Sequence, residues 1–262
     1  MLDFNQVDEA AVKTYCSPDR FGPVSEKLIQ NFYEGVLSPG DVALDIGVQY
    51  GVHLFGMRSS VGNHGFVLGI EANVERYAAM LKAVSNKGLT NVYLLNVAAS
   101  NVEEPKDFFL NRTHSGRSSL VENRLTPSDV IEKHRVYAMR IDSLIPKTIK
   151  PAFMKMDIEG GEFPALLGAK ELINSSGMVI VFEGALTSSA RKFGLTDESV
   201  AAYMRDIGYS VFDLFGNAID LASWSGARGW NFIAVKNDAT LKAKIADALT
   251  SAWTMILKTE LS

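Results

Sequence analysis

A short apolar run, Val42-Ala43-Leu44, is followed at once by Asp45-Ile46-Gly47-Val48-Gln49-Tyr50-Gly51, and no other stretch limits the folds open to this chain so strongly. It reads as a strand, a tight turn and the start of a helix. In an open parallel sheet such a turn lies at the carboxyl end of the first strand, beside the crevice that takes nucleotide-like ligands. Gly47 and Gly51 let the backbone come close to a ligand, because a side chain at either place would block the approach or oppose the turn's φ. The pattern is D-x-G-x-x-x-G, with Val48 where a dinucleotide fingerprint has its middle glycine. That favours a nucleoside ligand that needs no diphosphate cradle.

Six further apolar segments, at 66–70, 91–95, 152–156, 178–182, 209–214 and 231–235, bring the candidate strands to seven. Between most of them lie stretches with helical spacing, at 52–61, 73–86, 163–173 and 197–207. Alternation of this kind predicts an α/β domain with a parallel sheet and helices on both faces. Residues 1–23 show no clear pattern, and Pro18 and Pro23 bracket a loop. From Val24, Leu28, Ile29, Phe32, Tyr33 and Val36 recur at helical spacing. The organisation expected is a helical extension over 1–40, a main domain over 41–238 and a C-terminal helix over 239–262. Leu241, Ile245, Leu249, Trp253 and Leu257 give that last helix one apolar face, which serves as core or as a homodimer seam.

Residues 100–150 are too long for one crossover and form a substrate-side insertion, with short strands at 107–110 and 137–140. Long loops at the ligand edge of a sheet often supply substrate contacts. His114, Ser115, Arg117 and Ser118 are the chemically able residues there. Trp224, Arg228 and Trp230, between the last two strands, either pack a hairpin or cap a substrate pocket.

Composition narrows the function classes. With 26 basic residues against 30 acidic, the net charge is -4 and no general attraction to nucleic acid is expected. The single cysteine, Cys16, excludes an internal disulfide framework and a cysteine-cluster zinc site. The four histidines, His53, His64, His114 and His134, lack metal-ligand spacing. No apolar run reaches the ~18 residues of a membrane span. The N-terminus has no signal-peptide core, so a cytoplasmic setting is expected.

The strand ends carry the chemistry. Glu71 ends the second strand about 20 residues past the glycine turn, a position from which a carboxylate takes both ribose hydroxyls of an adenosine. Asn96 and the backbone near Ala98 border a slot that a flat base could enter. The fourth strand ends in Asp157-Ile158-Glu159-Gly160-Gly161-Glu162, three carboxylates and two glycines within six residues. Lys155 alternates onto the same face as Asp157, and a lysine in an apolar strand needs a partner. The fifth strand again ends in an acid, Glu183.

These segments resemble the FkbM family of S-adenosylmethionine-dependent methyltransferases over roughly residues 41–185. DVALDIGVQYG matches the family's first turn, GFVLGIEANVERYAAMLKAVSNKGLTNVYLLNVAAS its second and third strands, and RIDSLI the approach to the fourth. FMKMDIEGGEFPALLGAKELI resembles its most specific segment, K-x-D-x-E-G-x-E followed by an apolar helix, and VIVFEG its fifth strand. The resemblance implies a Rossmann-like, class I methyltransferase fold, with a seven-stranded, mostly parallel sheet whose last strand is antiparallel. It implies S-adenosylmethionine as cofactor, S-adenosylhomocysteine as product, and cofactor contacts from Asp45, Gly47, Gln49, Gly51, Glu71, Asn73, Asn96, Ala98 and Asp157. The acceptor it implies is a hydroxyl on a sugar, glycan or polyketide-type natural product.

Methyl transfer to a hydroxyl needs in-line positioning and a base for the proton. Asp157, Glu159 and Glu183 are the candidates, with His114 outside the main group; a divalent ion held by the same three carboxylates is the alternative, and no dedicated metal site is expected. The family commonly has alanine-asparagine where this chain has Val48-Gln49, and E-P-N where it has Glu71-Ala72-Asn73. The first departure keeps a non-catalytic, methyltransferase-fold binding protein as the rival. The missing middle glycine disfavours a nicotinamide-dependent oxidoreductase, and the lack of basic surplus and of an N-P-P-Y type motif disfavours a nucleic acid methyltransferase.

Overall fold

The computed structural model describes residues 18–122, 124–184, 196–220 and 230–260. In chain order the elements begin α1 (Pro18–Val36), β1 (Val42–Ile46), α2 (Val52–Val61), β2 (Phe66–Ile70), α3 (Val74–Asn86) and β3 (Val92–Leu95). There follow β4 (Ala98–Ala99), β5 (Glu104–Asn111), β6 (Ile131–Met139), α4 (Ile141–Leu144), β7 (Phe153–Met156), α5 (Glu162–Gly168) and α6 (Lys170–Ser176). The last are β8 (Val179–Glu183), α7 (Asp197–Asp206), β9 (Tyr209–Asp213), β10 (Asn231–Lys236) and α8 (Ala239–Glu260).

The seven apolar segments pair in the order β3-β2-β1-β7-β8-β10-β9. All are parallel except β10, the last in sequence, which runs antiparallel to both β8 and β9. From β1 the chain winds outward through β2 and β3, then returns to β7 on the other side of β1. That reversal is the switch point at which such sheets open a crevice. Both faces of the central strands are covered, as their unbroken apolar runs require. On one face, Leu28, Phe32 and Tyr33 of α1, Leu54 of α2 and Leu249 and Trp253 of α8 form one core. On the other, Phe163 and Leu166 of α5 and Met204 of α7 pack against Met154 and Phe182.

Three segments depart from the sequence expectation. α1 already begins at Pro18 and runs through Pro23. A proline forfeits a backbone bond, but Leu28, Ile29, Phe32 and Tyr33 are fully buried and hold the helix in place. The single helix expected over 163–173 is two, α5 and α6, parted at Ala169. Gly168 lies so close to the Ser100 carbonyl that a β-carbon would overlap it, and the Asp142 carboxylate caps the second helix by accepting the Glu171 and Leu172 N–H groups at 3.1 and 2.9 Å. The two short strands of the insertion are longer than their apolar cores. β5 and β6 pair antiparallel from Glu104↔Ala138 to Asn111↔Ile131, and β4 joins β6 to make a second, three-stranded sheet.

The apolar face of α8 is core. Ile245, Leu249 and Trp253 are buried within the chain, the indole donates to the Leu214 carbonyl at 2.8 Å, and its ring stacks on Phe215 at 5.4 Å. Trp224, Arg228 and residues 1–17 lie outside the described residues; Trp230 is 40 % exposed. Among the described residues no helix is long and apolar enough to cross a membrane. Trp253→Ala removes the largest fully buried side chain, and chemical denaturation should show a loss of ~3–5 kcal/mol. A loss below ~1 kcal/mol, the size of a surface change, would put α8 outside the cooperative core.

Candidate active site

The carboxyl ends of β1, β2, β3 and β7 border a cleft of about 660 Å³, its open mouth included. Its walls come from the first turn (Gly47, Gln49, Tyr50), the end of β2 (Glu71, Ala72, Asn73), Val97, Ala98 and Ala99, and the acidic loop (Asp157, Ile158, Glu159). Phe108, Ser115, Ser118, Ser119 and Leu120 of the insertion close the remaining side. Backbone bonds that extend the sheet set these walls. Gly47 N–H donates to Ile70 at 2.8 Å, Asp157 N–H to Ile46 at 2.9 Å and Glu71 N–H to Leu95 at 3.0 Å.

The two glycines of the first turn answer to different neighbours. Gly47 has φ +92°, and a β-carbon on it would overlap the Asp157 carbonyl oxygen. Its small size thus brings the first turn and the acidic loop together as well as opening the cleft. Gly51, at φ +77°, does not line the cleft; a β-carbon there would crowd the Met80 sulfur and the Phe55 ring. Gln49 (φ 48°) and Glu159 (φ 57°) are the non-glycine residues with positive φ among the described ones, and both line the cleft. Backbone strain of this kind tends to gather at functional sites.

Glu71 is buried, and its two oxygens accept the Gln49 and Asn73 N–H groups, each at 2.8 Å. Each carboxylate oxygen keeps a further acceptor lone pair, so the side chain ties the two turns together and still offers acceptors to the cleft. The Asn73 side chain caps α3 by accepting the Glu75 and Arg76 N–H groups. Asn96 does not line the cleft; its amide donates to the Glu71 and Ala72 carbonyls at 2.8 and 3.2 Å and supports that turn from behind. Asp45 is 1 % exposed and lies beneath the turn without reaching the cleft.

The acidic loop brings Asp157, Glu159 and Glu183 together, with one oxygen of each within 4.8 Å of the others. Burial raises the pKa of Asp157, but the Lys155 ammonium at 3.0 Å and a hydrogen bond with Glu183 outweigh it and hold the group below the usual carboxylate range. Burial, the charges of Asp157, Glu159 and Glu162, and the other end of that hydrogen bond push Glu183 up to about 10. Burial and Asp157 push Glu159 up to about 7. One carboxylate is therefore ionised at neutral pH, beside a carboxylic acid that keeps its proton. Glu183 stands behind Asp157 and is not part of the cleft wall.

Three participants carry no role in the sequence reading or a different one. Glu162, the last acid of the motif, is 2 % exposed, accepts the Ile158 N–H at 2.8 Å, and is pushed up to about 8 by burial. Arg76 stacks 4.0 Å over the Tyr50 ring and donates to the Tyr50 hydroxyl at 2.8 Å and the Ser115 hydroxyl at 3.2 Å, latching α3 to the insertion. Nothing in its spacing marks it. His114 does not line the cleft; its Nδ1 meets the buried Asp129 carboxylate at 3.1 Å, at the base of the insertion loop.

The reversed strand order, the cleft at the switch point and the antiparallel last strand define the class I methyltransferase architecture. Residues 45–211 match the methyltransferase FkbM domain, and the chain belongs to that family of S-adenosylmethionine-dependent methyltransferases. Among solved structures it is similar to a methyltransferase FkbM from Methylobacillus flagellatus KT, with 17% identity and a TM-score of 0.50 over 77% of this chain. The chain spans about half, 47%, of that protein's length. A SAM-dependent methyltransferase from Aquifex aeolicus is 16% identical over 87% of this chain and 97% of its own, with a TM-score of 0.43. Aeropyrum pernix fibrillarin, solved with S-adenosyl-L-methionine bound, is 13% identical over 80% and 74%, with a TM-score of 0.43. No curated protein matches the chain.

The raised acids fix a pH dependence. A carboxyl whose folded pKa lies above its unfolded value holds more protons when folded, so stability falls as pH rises from the unfolded value through the folded one. For Glu159, Glu162 and Glu183 that window opens near the ordinary glutamate value of 4.5 and runs to about 7, 8 and 10. Asp157 acts in the opposite sense, below 3.8 and outside this window. Thermal unfolding should show a less stable protein at pH 8 than at pH 5.5. Glu162→Gln, which keeps the acceptor for Ile158, should flatten the slope by up to ~1.4 kcal/mol per pH unit; an unchanged slope would mean that Glu162 ionises freely in the folded protein.

Proposed function

We propose that the protein is an O-methyltransferase whose acceptor is a hydroxyl on a sugar, glycan or polyketide-type natural product. The observation that carries this is the Asp157 carboxylate, held ionised on the cleft wall by Lys155 at 3.0 Å beside Glu183, which retains its proton. The cleft suits S-adenosylmethionine. Glu71 offers free acceptor lone pairs for a ribose diol, Ala72, Val97, Phe108 and Leu120 offer apolar walls for a flat base, and Asp157 offers a negative charge for a cationic centre. Gly47, Gln49, Asn73 and Ala98 complete that contact set. When bound, the cofactor supplies an electrophilic methyl group.

The chain's own task is then to orient the acceptor and take its proton. Asp157 is the base, because Glu183 already holds a proton at neutral pH and Glu159 is about half ionised there. A carboxylate of low pKa is a weak base toward a free alcohol. It suffices when proton loss accompanies O–C bond formation, since the hydroxyl grows more acidic as the bond forms. Glu159, which lines the cleft, can in its protonated form both donate to and accept from a polyhydroxylated acceptor. Val48 speaks against the non-catalytic rival: it is 4 % exposed and packs toward Gly69, in the core and off the cleft wall.

S-adenosylmethionine or S-adenosylhomocysteine at ~100 times its dissociation constant should stabilise the protein by ~2.7 kcal/mol, whereas NAD should not. With binding established, S-adenosylhomocysteine release is followed over a panel of sugar and polyketide hydroxyls. Asp157→Asn should lower turnover by ~10²–10⁴ and leave homocysteine-nucleoside affinity within a few fold. Absence of any shift with either adenosyl ligand in a folded sample would return the non-catalytic reading. Turnover should also survive thorough chelation; activity lost to chelation and restored by a divalent ion would recast the three carboxylates as ion ligands.

A further inference from the structure

Beneath the cleft, on the face of the sheet covered by α1 and α2, lies a second set of ionisable groups. The Glu26 carboxylate of α1 meets His53 Nε2 of α2 at 2.7 Å. The Tyr33 ring of α1 packs edge-on to His53 at 5.7 Å. Asp45 of β1 and Lys155 of β7 are register partners on adjacent strands, so their side chains share one face. Among the described residues, the buried side-chain nitrogens and oxygens without a protein hydrogen-bond partner are Tyr33 Oη, both Asp45 carboxylate oxygens and His53 Nδ1. All four belong to this one cluster.

Buried polar atoms left without protein partners are normally joined by internal water. The cluster also has two ends. Lys155 reaches Asp157 in the cleft at 3.0 Å, and Glu26 is 48 % exposed on the far side. We propose that His53, paired with Glu26, is the outlet of a hydrated proton path that starts at Asp157 and passes Lys155 and Asp45 to solvent at α1. The proposal rests on hydroxyl methylation by this chain, which releases one proton per turnover into a cleft filled by its reactants.

The transfers balance without any further reactant. Asp157 takes the proton of the acceptor oxygen; Lys155 receives that proton as it passes one of its own, through water, to Asp45. Asp45 passes its proton to His53 Nδ1, and the proton on Nε2 goes to Glu26 and to solvent. Asp157, Lys155 and Asp45 end as they began, His53 is left with its proton on Nδ1 and returns to the Nε2–H form by tautomerisation through water, and one proton has left the cleft. The groups have suitable states for this. Burial pushes Asp45 up to about 6, with Lys155 and His53 opposing it. Burial raises Glu26, but its hydrogen bond to His53 and the charge of Lys155 outweigh that and keep it ionised. An ionised Glu26 draws the neutral imidazole's proton onto Nε2 and leaves the Nδ1 lone pair facing the interior. The charged and titratable neighbours are Glu26, Tyr33 and Glu34 from α1, Asp45 from β1, and Lys155 and Asp157 from β7.

The test is nitrogen-15 NMR titration of the histidines in the full chain, with His53 assigned by His53→Gln. The neutral ring should carry its proton on Nε2. Asp157→Asn should lower the His53 midpoint by ~0.3–0.5 pH unit, because a stabilising negative charge is lost. With Asp45→Asn added, the two shifts should not sum, since the path passes through Asp45. If Asp45→Asn does not fold, Tyr33→Phe, which deletes one hydroxyl from the path, replaces it. A proton on Nδ1, an unmoved midpoint in Asp157→Asn, or simply additive shifts would each overturn the proposal. Calorimetry with S-adenosylmethionine on the same samples reads the parent function separately. No heat there would remove methyl transfer, whatever the state of His53.

Discussion

The close approach of Gly47 to the backbone of Asp157 is the contact on which the site depends. β1 and β7 are neighbours in space but more than a hundred residues apart in sequence, and they meet where the sheet changes direction. At that point the Asp157 N–H donates to the Ile46 carbonyl, and a β-carbon on Gly47 would overlap the Asp157 carbonyl. Any larger residue would push the acidic loop away from the first turn. The same strand pair places Asp45 opposite Lys155 on the covered face. One backbone contact therefore aligns the carboxylate in the cleft with the buried charges below it.

The parts of the fold legible in the sequence are those whose cause is local. Apolar runs of strand length bounded by turns mark all seven sheet strands, since burial on both faces leaves little room for polar residues. The first turn, Glu71 and the 157–162 loop are visible because glycines and acids at strand ends are chemically conspicuous. Hidden features come from contacts across the chain. The break at Ala169 follows from Asp142, some thirty residues away, and from Ser100 against Gly168. The latch made by Arg76 needs Tyr50 and Ser115 from two other segments. Asp45 sits in the most conspicuous motif of all, yet the alternation of a strand turns its side chain to the covered face and away from the cleft.

The acidic loop is tolerable because its members do not ionise together. Several carboxylates in one poorly solvated place repel one another, and transfer of an isolated charge from water is costly. Here only Asp157 is held ionised, by a lysine on its own strand, while Glu159, Glu162 and Glu183 shift toward their neutral forms. Glu162 shows the structural side of the arrangement: its carboxyl accepts the Ile158 N–H and thereby shapes the turn in which Glu159 adopts positive φ. The motif and its neighbour Glu183 thus combine one group held charged, two acids shifted toward their neutral forms, and one acid that holds the loop.

The sheet and the insertion divide the cleft between them for a physical reason. Residues at strand ends are fixed by the ladder of backbone bonds, so the first turn, Glu71 and Asp157 cannot move independently of one another. They suit a ligand whose shape never varies. The second sheet is attached differently, through the short β4–β6 pairing, the apolar contact of Phe108 and Leu120 with Ala98 and Ala72, and the Arg76 latch. Its serines and its loop at 111–119 can be altered without disturbing the main ladder. Residues carried there can change while the first turn, Glu71 and Asp157 remain in register, because the contacts that hold those three lie in the main sheet.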